Sequence, residues 1–108
     1  MDSLAVAGKR EVYRWDADDV ARGITAPVAV FHGATDRQVP VEQADSLAAV
    51  FRRAGASDVF LRVFPGLNHL LVPDESGDFL RYDQLDNARV DTSVLGALAD
   101  WITSRLMH

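Results

Sequence analysis

Apolar positions along the chain follow two different patterns. Pro27 to His32 (PVAVFH) is a continuous apolar run, ended by Gly33 and the Ala-Thr-Asp that follows. Such a run reads as a strand buried on both faces, as in a parallel sheet. Val59 to Phe64 (VFLRVF) is rich in β-branched and aromatic residues and stops at Pro65-Gly66, which predicts a second strand. Between them, Ala44, Leu47, Ala48, Phe51 and Ala54 recur at helical spacing. That spacing predicts an amphipathic helix over Val41 to Ala54, terminated at Gly55. A last helix carries Val94, Leu95, Leu98, Trp101, Ile102 and Leu106 as one apolar stripe, with Asp91, Thr92 or Ser93 as its cap. Trp101 and Phe51 are expected in the core. Asp16 opens one or two further helical turns before Gly23, and the first fourteen residues have no clean period. Residues 1–23 therefore read as an arm with a short helix, and residues 24–108 as the folded part.

Strand, helix and strand make a βαβ unit, whose right-handed crossover leaves the two strands parallel. The fold class is α/β. Two parallel strands do not form a sheet that stands alone, because both faces and both edges need cover. The expected partner is either a missing N-terminal portion of the sheet or a second copy of the chain.

Composition narrows the function. The 108 residues suffice for one domain, and 48% hydrophobic with 25% charged content is ordinary for a globular protein. With no cysteine, disulfides, thiolate metal sites and a cysteine nucleophile are excluded. A net charge of −5 without a basic stripe argues against nucleic acid, since Arg52-Arg53 is explained by a helix surface. The short apolar runs and the N-terminal MDSLAVAGKREV predict neither a membrane span nor a signal peptide, so a cytoplasmic location is expected.

Chemistry concentrates at the strand ends. Asp36 lies four residues past His32, and His69 five past Phe64. Ligands of open α/β sheets bind outside the carboxyl ends of the strands, and neighbouring strands lie about 5 Å apart. The two loops should therefore rise side by side, with Asp36 in reach of His69. A carboxylate bonded to one imidazole nitrogen fixes the tautomer and leaves the other nitrogen as a general base.

HGATDRQVP and its helix, then LRVFPGLNHLL, PDESGD and a closing tryptophan helix, resemble the C-terminal part of an α/β-hydrolase. The pattern is similar to prolyl-oligopeptidase-like serine peptidases and dienelactone-hydrolase-like esterases, from about Ile24 to Leu106. The resemblance implies a partial α/β-hydrolase, three-layered when complete, with Asp36 of the HG-x-x-D pattern as triad acid. It implies His69, after Gly66 in G-x-x-H, as triad histidine, and ester or peptide substrates. No cofactor is implied. The family's nucleophile is usually Ser in G-x-S-x-G, ahead of the acid in chain order. Upstream of Asp36 the only serine is Ser3, without flanking glycines, and the oxyanion-hole loop is missing as well. The expected function is thus the C-terminal segment of a serine hydrolase that lacks its nucleophile. Two alternatives stand beside it, a non-catalytic derivative that completes its sheet by homodimerisation and a weak Asp–His esterase using water.

Other features are expected to be structural. His32 reads as a strand-end histidine satisfied by the neighbouring loop. PDESGD lacks the spaced ligands of a calcium loop, and His32, His69 and His108 have no zinc spacing, so no metal is expected. Phe79 and Tyr82 fit either a pocket near His69 or a helix packing face.

Overall fold

The computed structural model describes residues 17–86 and 88–106. Ser3 and the proposed cap Asp16 lie outside the described residues. The elements in chain order are α1 (Ala17–Arg22), β1 (Val28–Gly33), α2 (Glu42–Arg53), β2 (Val59–Phe64), a 3-10 helix (Phe79–Gln84) and α3 (Thr92–Leu106).

β1 and β2 pair in parallel, in a register running from Val28 opposite Val59 to Gly33 opposite Phe64. Their carboxyl ends are therefore level. α2 packs on both strands through the interval between them, and α1 packs on α2. Ala44 and Ala48 are the buried residues of α2, small enough to let the helix sit close to its neighbours. Phe51 is only half-buried, so it belongs to the margin of the packing and not to its centre.

Alternation along the strands puts Phe31, Phe60, Arg62 and Phe64 on one face. Phe31 meets Phe60 and Phe64 edge-on, with ring centroids 6.1 Å and 5.3 Å away. Phe64 and Leu67 form the buried core with Val94 and Ala97 of α3, and Phe31 and Leu71 pack against it. The end of α3 is tied to the start of β2, because Arg105 donates to both carboxylate oxygens of Asp58 at 2.9 Å and 2.7 Å. The same guanidinium lies over the Trp101 ring, 4.7 Å from its centroid.

α3 departs from the single stripe that its sequence suggests. Val94 and Ala97 face the core, and Trp101 is half-buried beside them. Leu95, Leu98, Ile102 and Leu106 are exposed. At roughly 100° per residue the two groups centre about 110° apart, so they are two faces of one helix. A two-stranded sheet is too narrow to cover both. Asp91 caps the helix, its carboxylate accepting from the Ser93 backbone N–H at 3.0 Å and from the Ser93 hydroxyl. Among the described residues, no helix is long and apolar enough to cross a membrane.

Candidate active site

Beyond the level strand ends, the pairing continues into the loops. The Ala34 N–H donates to the Phe64 carbonyl at 2.8 Å, and the Thr35 N–H to the Leu67 carbonyl at 2.9 Å. This close approach requires glycine at position 33. A β-carbon there would stand 2.3 Å from the carbonyl oxygens of both Leu67 and Asn68. Gly77 is constrained in the same way: its φ is +63°, and a β-carbon would meet the Thr35 carbonyl oxygen at 1.7 Å. Two glycines thus let three loops converge on the rim.

Asp36 sits in the first of these loops, with its side chain 3% exposed. Its Oδ1 accepts from the backbone N–H groups of Gln38 and Val39, each at 2.8 Å. Its Oδ2 accepts from Nδ1 of His69 at 2.9 Å. Burial pushes the carboxyl's pKa up, but the Val39 N–H, the His69 ring and the Gln38 N–H outweigh it. The net result is a pKa below the ordinary 3.8, so Asp36 is ionised at neutral pH.

His69 is presented by a loop built around Asn68. Asn68 is fully buried. Its Oδ1 accepts from the N–H groups of Leu70 at 2.9 Å and Val72 at 3.2 Å, and its Nδ2 donates to Asp74 at 3.2 Å. Every polar atom of that side chain is used to fold the chain back on itself. The turn also places Leu71 at φ +62°, an uncommon conformation for a residue with a β-carbon. The His69 side chain emerges 39% exposed. With Nδ1 engaged by a carboxylate, the neutral ring keeps its proton there and Nε2 is the basic nitrogen. His69, Asp36, His32, Phe31, Val39 and Leu71 line a cleft of about 200 Å³.

The sequence left Phe79 and Tyr82 open between pocket and packing. Phe79 is exposed. Tyr82 donates its hydroxyl to Gln38 Oε1 at 3.0 Å, which ties the 3-10 helix to the loop bearing Asp36. Burial and the negative charge of Asp36 raise the Tyr82 pKa above its ordinary 10.0. In PDESGD, Asp74 Oδ1 accepts from the N–H and hydroxyl of Ser76, at 3.1 Å and 2.7 Å, and Asp78 caps the 3-10 helix by accepting from the Leu80 N–H. Asp74 and Asp78 therefore fold the loop itself. Among the described residues no group of three or more His, Asp or Glu is placed to hold a metal ion.

Asn68 is the residue of the His69 loop that the sequence reading missed. Its only signal is an Asn directly before the histidine in an otherwise apolar stretch, a residue type that bonds backbone two residues on.

Strand, crossover helix and parallel strand, with a long closing helix and polar loops gathered at the carboxyl rim, form part of an α/β-hydrolase fold. Residues 5–87, well over half of the chain, match the prolyl oligopeptidase family, and the chain belongs to that family. It is thereby related to the serine hydrolases. No solved structure matches the chain.

Proposed function

We propose that this chain supplies the acid and the base of a serine hydrolase that cleaves ester or peptide bonds by acyl transfer. Asp36 holds the His69 ring in the Nδ1–H tautomer. Nε2 takes the proton from a serine hydroxyl located outside these 108 residues, the serine oxygen attacks the carbonyl, and the imidazolium returns the proton to the leaving group. The buried, ionised Asp36 then faces the positive ring that this step creates. The observation that carries the reading is the 2.9 Å bond from an exposed imidazole to a carboxylate that is otherwise bonded only by fixed N–H groups. Family membership supports it.

The test starts from the coding DNA upstream of the Met1 codon in its native source. An in-frame G-x-S-x-G ahead of Asp36 supplies the nucleophile, and an in-frame stop codon without it sinks the reading. On the extended protein, a fluorophosphonate probe should label that serine, and His69→Ala should slow labelling by about 10²–10⁴-fold.

The exposed apolar face of α3 favours a second reading, a non-catalytic homodimer in which partner copies complete each other's sheet. Light scattering on the 108-residue chain decides it, since a stable monomer at high concentration is incompatible with that dimer.

A further inference from the structure

His32 does more than satisfy a strand end. Its ring is 12% exposed, and Nε2 lies 2.8 Å from the Val39 carbonyl and 3.3 Å from Asp36 Oδ2. A carbonyl oxygen only accepts, so the proton of the neutral ring must be on Nε2. That one N–H therefore donates to the Val39 carbonyl, with Oδ2 of Asp36 close by at 3.3 Å. Val39 closes the circuit, because its own N–H donates to Asp36 Oδ1 at 2.8 Å.

From this geometry we infer that His32 is a positioning residue for the Asp36–His69 pair. It anchors residue Val39 by its carbonyl, and the N–H on the other side of the same α-carbon fixes Oδ1. With Oδ1 held, the carboxylate cannot turn, and Oδ2 stays directed at Nδ1 of His69. The inference rests on Asp36 acting through His69, but its own content is the choice of tautomer at His69. An unconstrained neutral imidazole carries its proton mainly on Nε2, which would leave no base for a serine. Holding the carboxylate still is what keeps the proton on Nδ1.

Nitrogen NMR of the labelled imidazoles, on the 108-residue chain at alkaline pH where both rings are neutral, reads the two tautomers directly. In the unmodified protein His32 is expected as Nε2–H and His69 as Nδ1–H. Finding His32 as Nδ1–H overturns the inference without any variant. His32→Gln keeps an N–H near the Nε2 position and is expected to preserve the His69 Nδ1–H signal. His32→Leu removes the donor and is expected to lose it, with circular dichroism checking the fold. Should His32→Leu not fold, His32→Asn replaces it, its amide falling one carbon short; a His69 tautomer identical in the Asn and Gln variants overturns the inference. Asp36→Ala separates this from the wider reading. If the His69 signal ignores Asp36→Ala, the acid–base pair itself fails. If it responds to Asp36→Ala but not to the loss of the His32 donor, only the role of His32 fails.

Discussion

The rim loops and the outer face of α3 are finished to very different degrees. At the rim, Asp36 and Asn68 are buried polar groups whose oxygens are all accounted for by N–H donors within the described residues. On α3, Leu95, Leu98, Ile102 and Leu106 present apolar surface, and Leu106 is 78% exposed. Hydrogen-bonded loops can be completed by short-range partners, two to four residues away, together with one neighbouring strand. A helix face needs another layer. The contrast teaches that the Asp36–His69 contact needs only the two strands and the loops that follow them, whereas the hydrophobic cover needs something more. Both readings of the function supply that cover, one from further sheet and the other from a second copy.

Gly33→Ala should break the contrast most severely. The new β-carbon meets backbone that cannot rotate away, so the His69 loop must shift. The expected cost is about 3 kcal/mol in urea denaturation, with loss of the Asp36–His69 bond. A cost below about 1 kcal/mol would mean that the rim is looser than its hydrogen bonds suggest. Asn68→Ala should come next, at about 2 kcal/mol, since it leaves the buried Val72 N–H without its acceptor and frees the Leu70 N–H and Asp74 as well. Hydrogen exchange at Val72 should rise in step.

Acidification is a milder probe of the same region. The folded pKa of Asp36 lies below its ordinary 3.8, so its contribution to stability is fully present above that value and is lost as pH falls through the folded pKa. Stability measured from pH 5 downward should therefore fall less steeply in Asp36→Asn than in the unmodified chain. The smallest effect is expected at the other pole of the comparison. Ile102→Glu, on the open face of α3, should change monomer stability by no more than about 0.5 kcal/mol. A large loss of stability or of assembly on this substitution would show that the face is covered in solution.

How much of this was legible in the sequence depended on the range of the interaction that decides it. β2 lies at the residues its composition indicated, and β1 is displaced by one residue towards Gly33. α2 runs from Glu42 to Arg53, one residue inside the predicted span at each end. The meeting of Asp36 and His69 followed from parallel strands and loop lengths alone. Periodicity failed on α3, because it counts apolar residues without knowing how wide a surface is available to cover them. Phe51 and Trp101 were over-assigned to the core for the same reason. The Asn68 turn and the tight approach to Gly33 stayed hidden, since one depends on a fold-back invisible to any repeat pattern and the other on the backbone of Leu67 and Asn68, far along the chain. His32 was read as a strand-end histidine satisfied by the neighbouring loop, and Val39 satisfies it, but its 3.3 Å approach to the carboxylate depends on how the Asp36 loop turns.

The two oxygens of Asp36 also differ in when they can be filled. Oδ1 takes its donors from two and three residues away, whereas Oδ2 waits for a histidine 33 residues further along. Short loops close at little entropic cost and on far faster timescales than a crossover that must carry a whole helix. The Asp36 carboxylate can therefore adopt its orientation in a chain whose second strand has not yet docked. The bond to His69 marks the last step of that sequence, so during refolding the imidazole signal should be the late reporter and the Gln38–Val39 amides the early ones.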